Sequence, residues 1–416
     1  MLYRVCKVTL LSEFRGLHKG VWALCAIRLV VTWGFSMVLP LLTWHLAKER
    51  GVSAVTAGFI WTVANAAGAG MQWVAGELSD RVGRRPLMLA ASFLRVINLL
   101  ALGWALSSDA SVMTIGALCV WNGILRAFFD PVANALVADL SSDTQRVAAF
   151  SLQRLGTNVG WAAGPAVAGM ALATGVAYSQ LFYWSAPITL VAAIGLFWVP
   201  TAQPTLRVAN PKPFLRSPIG DFLAYRNDRR FMWFLAGTFF FFVLQAQMFV
   251  TLSYYAARSL KLTQVEVTHI YTLNGLLVVA LQLPAVAIIR RLGRAQALLL
   301  GCVGYMAAYA SMGLSVGHLS LLLSVAGVTM AEVILAPSQQ ATVPSLAPVG
   351  RIGAYSGMFG LAQITGQSAG PLLGATVLQA IPARPAWIAL SLFGALAFFC
   401  YRSGSRAAAT PAETIA

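Results

Sequence analysis

A chain of 416 residues that is 58% hydrophobic and only 10% charged, with a mean hydropathy of +0.73, is excluded from the soluble globular class, because its repeated apolar runs of about 20 residues match the hydrocarbon thickness of a bilayer. In lipid every backbone polar group needs an internal partner, and runs this long without polar alternation argue against a barrel of tilted strands, so the class is all-α and polytopic. The net charge of +16 gathers mainly between the runs, where it reads as membrane topology and argues against a nucleic-acid partner.

Residues 1–20 read as a cytoplasmic interfacial segment, with Arg4, Lys7, Arg15 and Lys19 around Leu10, Leu11, Phe14 and Leu17. Twelve spans are expected next, at about 21–46, 54–78, 86–106, 111–138, 147–174, 179–199, 230–257, 265–289, 296–315, 319–344, 352–379 and 384–401. Spans 1 to 6 form an N-terminal six-helix bundle over 21–199, and spans 7 to 12 a C-terminal one over 230–401. Between them, residues 200–229 carry Pro200, Pro204, Pro211, Pro213 and Pro218 among basic residues, as a cytoplasmic linker does. Residues 402–416 form a cytoplasmic tail. With the N-terminus inside, the inner segments hold twenty Lys and Arg and the outer ones five, Lys48, Arg50, Arg258, Lys261 and Arg384. That bias puts both termini in the cytoplasm.

Away from the span ends, Arg28, Arg95, Arg126, Asp130, Arg154 and Glu332 lie within spans. Each costs at least about 2.5 kcal/mol there and is a functional candidate by default. Glu332 lies midway along span 10 at the position equivalent to Arg126 in span 4, a depth that suits a group that loads and releases a proton. The alternative is a fixed salt bridge from Glu332 to Arg126. Asp130 stands four residues after Arg126 on one helical face, so it is either that residue's ion-pair partner or a second proton site. Arg28 contacts substrate or snorkels to the headgroups. Arg95 and Arg154 read as structural or interfacial.

The five cysteines are scattered and odd in number, and the four histidines stand at no ligand spacing; neither a metal nor another cofactor is expected. The absence of HExxH, GxSxG or a Cys/His constellation argues against an enzyme.

The two halves repeat each other. Gly160-x-x-x-Gly164-Pro165 in span 5 recurs as Gly366-x-x-x-Gly370-Pro371 in span 11, and Arg146-Val-Ala-Ala-Phe-Ser151 recurs as Arg351-Ile-Gly-Ala-Tyr-Ser356. Pro131 maps to Pro337, and Arg81-Val-Gly83-Arg84 to Arg291-Leu-Gly293-Arg294. Four landmarks in one order describe a duplicated six-helix unit, the architecture of a rocking transporter with its site near the midplane between halves.

The loop Gly76-x-x-x-Asp80-Arg81-x-Gly83-Arg84-Arg85 between spans 2 and 3 resembles the signature of the major facilitator superfamily. Span 5 resembles the GxxxGPxxGG signature of its bacterial twelve-span drug:proton antiporters through Gly160, Gly164, Pro165 and Gly169, with Ala168 in place of one glycine. Cys119 stands where those antiporters carry an arginine one turn before the Asn122-Gly123 pair.

The resemblance implies a gate latch in the loop, in which Gly76 admits span 11, Asp80 meets the amino end of span 11 near Arg351, and Arg84 pairs with Asp139. It also implies that spans 1, 4, 7 and 10 line the substrate cavity. Arg28, Trp33, Phe35, Met37, Arg126, Phe128, Phe241 and Gln245 would stand there, joined by Asn158, Asn274 and Gln363 from neighbouring spans. The function it implies is proton-coupled efflux of amphipathic small molecules through Glu332 and Asp130, by a monomer in a bacterial inner membrane whose partners are substrate, protons and lipids. The alternative is an exporter or flippase of an anionic metabolite or lipid, since the cavity candidates hold two arginines to two acids.

Overall fold

Long apolar runs with few internal breakers become helices. The computed structural model describes residues 16–142, 145–200, 228–348 and 352–406. Most of the interfacial segment, the linker from 201 to 227, Arg351 and the tail after 406 lie outside the described residues.

The described helices are α1 (Lys19–Lys48), α2 (Ala54–Val82), α3 (Arg84–Ser107), α4 (Val112–Ala127), α5 (Asp130–Asp139), α6 (Arg146–Ala173), α7 (Tyr178–Gly195), α8 (Arg229–Gln245), α9 (Val250–Arg258), α10 (Gln264–Leu292), α11 (Arg294–Met312), α12 (His318–Leu346), α13 (Ile352–Ala380) and α14 (Ala383–Arg406). Each expected span falls on a helix or a helix pair, α4 with α5 for span 4 and α8 with α9 for span 7. Eight of these stretches are long and apolar enough to cross a membrane, and nine if the bent pair Gln264–Gln282 and Pro284–Leu292 is one span. The other three, α2, α6 and α13, have 29, 28 and 29 residues but carry glycine, alanine and amides where the rest carry larger apolar side chains.

Helix ends follow from local chemistry. Ser111 Oγ accepts from Thr114 N at 3.1 Å to start α4, and Thr263 with Glu266 closes a capping box at α10, the backbone N–H of Thr263 reaching Glu266 Oε2 at 2.7 Å. Gly83 and Gly293, at φ 93° and 80°, make the sharp joints between α2 and α3 and between α10 and α11.

The two interrupted spans break for different reasons. Pro131 lacks an N–H and its ring would meet the carbonyl four residues back, that of Ala127, where α4 ends. Span 7 has no proline at its break. There the side chain of Gln247 enters the ladder, its Nε2 donating to Val243 O at 2.6 Å and to Gly370 O at 2.9 Å, and a 3-10 turn over Ala246–Met248 follows α8.

The chain divides into two compact units, one of Met1–Leu42 with Ala67–Arg207 and the other of Thr43–Ala66 with Val208–Ala416. In the first, α3 packs on α7 and α4, around a core that includes Leu24, Ile27, Met88, Phe129, Leu136 and Leu152. Here α6 meets α1 almost backbone to backbone: a Cβ on Gly160 would lie 2.7 Å from Leu29 O, and one on Gly164 2.7 Å from Met37 N. Small residues let helices approach this closely.

In the second unit α11 packs on α12 and α14, and α8 on α13 and α14, over fully buried Phe241, Tyr305, Tyr309 and Trp387. The glycine contact recurs, a Cβ on Gly370 lying 2.8 Å from Val243 O. The stretch 43–66 belongs here through definite bonds. Pro371 leaves the carbonyl of Gln367 without its helical donor, and Asn65 Nδ2 supplies one at 3.4 Å. Thr62 Oγ1 accepts from Leu372 N at 3.2 Å, and Trp44 Nε1 donates to Leu262 O at 2.9 Å.

Candidate functional site

The break in span 4 builds the polar cluster of the first unit. Ending α4 at Ala127 leaves Arg126 in its last turn and puts Asp130 in the first turn of α5, each at the helix end whose dipole favours its charge. Arg126 Nε lies 3.3 Å from Asp130 Oδ2. From α1, Arg28 Nη2 lies 3.6 Å from Asp130 Oδ1, and Arg28 Nη1 donates to Asn134 Oδ1 at 3.1 Å. Seven residues on, about two turns along the same face, the ring of Phe35 has the Arg95 guanidinium 5.2 Å and the Arg126 guanidinium 5.6 Å from its centroid.

Arg95 comes from α3 and is only 4% exposed. Its Nε has no hydrogen-bond partner among the described residues, and both Asp130 and Arg126 act on it electrostatically. A buried donor left unsatisfied costs about 1–3 kcal/mol, so its retention calls for an explanation. The side chains of Arg126 and Asp130 are 47% and 37% exposed, so the cluster opens at one face. Two guanidiniums therefore pair with one carboxylate, and a third stands near enough to feel its charge.

The break in span 7 builds the cluster of the second unit. Gln245, the last residue of α8, donates from Nε2 to Glu332 Oε1 on α12 at 3.0 Å. Its own Oε1 lies 3.5 Å from Gln367 Nε2, and its carbonyl 3.5 Å from the Tyr309 hydroxyl, both at the long end of hydrogen bonding. One turn before Glu332, Thr329 Oγ1 accepts from Asn274 Nδ2 at 2.9 Å. Glu332 is half-buried, amid amides and hydroxyls.

The remaining expected cavity residues divide. Met37 is fully buried under Gly164, and Phe241 is packed against Tyr305 at 4.8 Å between centroids, so both act as packing residues. Trp33, Phe128, Asn158 and Gln363 are half-buried. Gln363 and Gln367 are one turn apart on α13, and it is Gln367 that reaches Gln245. Sequence reasoning thus did not name Asn134 or Gln367, and it read Arg95 as structural or interfacial. Arg95 carried a signal, an uncompensated charge in a span, while Gln367 was legible only as the neighbour of Gln363 one turn away.

At the loop, Arg84 joins two carboxylates, in a short contact to Asp139 and at 3.5 Å to Asp80. Arg81 pairs with Glu77 at 2.6 Å, and Arg85 Nη1 lies 3.5 Å from Val199 O and over the ring of Phe197. A Cβ on Gly76 would meet open space. Of the stretch Arg351 to Ala354 expected to meet Asp80, Arg351 lies outside the described residues. In the second unit the equivalent Arg294 donates to a carbonyl, Ala341 O, at 2.8 Å. In span 5, Gly160, Gly164, Pro165 and Gly169 are all buried, so that motif is a packing surface. No group of His, Cys, Asp and Glu suited to a metal occurs among the described residues.

Comparison with known proteins bears on what such a molecule does. Residues 24–371 match the family model described as the Major Facilitator Superfamily. A Bacillus subtilis protein called the uncharacterized MFS-type transporter YqjV is 26% identical over 403 residues, 92% of each chain. The multidrug resistance protein MdtH of Aeromonas hydrophila is 25% identical over 91% of this chain and 94% of its own. Among solved structures, a POT family transporter in complex with thioalcohol conjugated peptide superposes with a TM-score of 0.80 at 14% identity, over 94% of this chain and 97% of that one. The nucleoside transporter NupG gives 0.74 at 13% identity, over 94% and 100%. At these identities the structures are alike in fold.

Proposed function

The chain belongs to the major facilitator superfamily, and from that premise we propose that it is a secondary transporter that exports amphipathic small molecules in exchange for protons. It works from a bacterial inner membrane with both termini in the cytoplasm. The observation that carries the proposal is Glu332, an ionisable group in the middle of an apolar helix whose carboxylate accepts from the neutral amide of Gln245. An amide can turn to offer its N–H₂ to a carboxylate or its oxygen to a carboxylic acid, so this contact serves both protonation states. Intramembrane carboxylates of this kind mark proton pathways. The similarity to MdtH, a protein named for multidrug resistance, supports export. The glycine pattern of span 5 supports it too.

The test is proton flux in reconstituted vesicles. With a pH gradient imposed and followed by a fluorescent dye, a set of naphthalene compounds matched in shape is added: the sulfonate, the sulfonamide and a trimethylammonium derivative. At least one should dissipate the gradient through the wild type and none through Glu332→Gln. Equal dissipation by both proteins would contradict the assignment of Glu332.

A further inference from the structure

We propose that Arg28, Arg95 and Arg126 form a binding site for an oxyanion group of the substrate, a carboxylate, phosphate or sulfonate, and that Asp130 fills their donors while the site is empty. This inference rests on the transport reading and names the class of substrate. Four features carry it.

The first is charge: three guanidiniums gather among apolar helices near one carboxylate, and two of them pair with it. Among the described residues no carboxylate lies within salt-bridge distance of Arg95, so the cluster is left with cationic capacity to spare. A cationic substrate entering it would meet three like charges. The second is the Nε of Arg95, buried and aimed where no partner stands. Guanidinium N–H groups form a rigid fork suited to the paired oxygens of a carboxylate or phosphate, and an arriving oxyanion supplies the acceptor that is missing.

The third feature is the looseness of the internal anion. Arg126 and Arg28 reach separate oxygens of Asp130 at 3.3 and 3.6 Å, longer than the roughly 2.7–2.9 Å of a good charge-assisted bond. A substrate free to adjust its position makes shorter bonds than a side chain tethered to α5. The fourth is the ring of Phe35, whose centroid lies 5.2 Å from the Arg95 guanidinium and 5.6 Å from that of Arg126, so that an apolar surface stands beside the donors for the apolar part of an amphipathic anion. Asp130 is then a placeholder, and proton coupling falls to Glu332 in the other unit.

Binding to the purified full-length protein tests this, by equilibrium dialysis with 2-naphthalenesulfonate against the matched sulfonamide and trimethylammonium compounds. The sulfonate alone should bind specifically. Arg126→Gln and Arg95→Gln should each weaken it at least about tenfold, the loss of one charge-assisted bond. Asp130→Asn should tighten it several-fold, because a competing anion is gone. A protein that merely misfolds cannot show tighter binding, so this variant separates site from scaffold, and Arg28→Lys, which keeps the charge, should retain most of the affinity. Binding of the ammonium compound that Asp130→Asn abolishes would overturn the proposal in favour of a cation site. Sulfonate binding absent, or indifferent to the arginine variants, would overturn it in favour of a purely structural ion cluster. Should that happen while another compound still dissipates the gradient through Glu332, the export reading survives and only the anion site falls. Sulfonate binding without any proton flux would spare the site and sink the export reading.

Discussion

The two units keep the same glycines and differ at the same charges. Gly164 and Gly370 stand 206 positions apart, as do Pro131 and Pro337 and also Arg126 and Glu332. At the glycines each unit presses one helix onto the backbone of another, α6 on α1 and α13 on α8. At the third pair the side chains are opposite in sign. The proline pair shares the residue and differs in result: α4 ends ahead of Pro131, while α12 runs unbroken from His318 to Leu346 through Pro337. In the second unit the break has moved to span 7, where the side chain of Gln247 makes it. Duplication preserved the packing that any such bundle needs, and the ionisable positions diverged into an arginine cluster on one side and an amide-held carboxylate on the other.

That contrast can be broken at several strengths. The largest structural effect belongs to the shared glycines. Gly164→Leu and Gly370→Leu should each destabilise by about 1–3 kcal/mol or more, since overpacking forces backbones apart. Thermal unfolding of the purified protein checks this against Gly70→Ala, whose Cβ would meet open space and which should shift the midpoint little. A smaller effect separates the prolines. Pro131→Ala should let α4 and α5 join and carry Asp130 away from Arg28, strengthening sulfonate binding several-fold as Asp130→Asn does, while Pro337→Ala should leave binding within about twofold, consistent with a proline already absorbed in a continuous helix. Unchanged binding in both would show that the break does not position the cluster. The smallest effect lies at the loops. Arg84→Gln removes contacts to Asp80 and Asp139 that are partly exposed and together contribute about 0–1 kcal/mol. Its transport rate should move by only a few-fold, and that of Arg294→Gln, which leaves no carboxylate behind, by less.

The fold class was legible because bilayer thickness and backbone satisfaction leave few choices for runs of that length, and the duplication because its landmarks recur in order. The division of the chain was less so. Nothing in the residues 43–66 says that they join the later half of the chain, since the donors that bind them there, such as Asn65 to the carbonyl freed by Pro371, meet across some 300 positions. The span 7 break also left no proline to read, because its cause is a side-chain amide competing for a backbone carbonyl. In the site, Arg126, Asp130 and Glu332 stand out as charges in apolar helices. Arg95 stands out equally, but it read as structural or interfacial, and only the packing of α3 brings it to Phe35. Gln367 was hidden for a simpler reason: a spacing pattern gives the face of a helix and leaves open which of two residues one turn apart makes the contact.

The central claim is a division of labour, in which the first unit holds the substrate anion and the second carries the proton. The most direct measurement is proton flux driven by 2-naphthalenesulfonate through Glu332→Gln, in vesicles whose protein binds the compound. The account predicts wild-type binding with no gradient dissipation. Wild-type dissipation by that variant would contradict it.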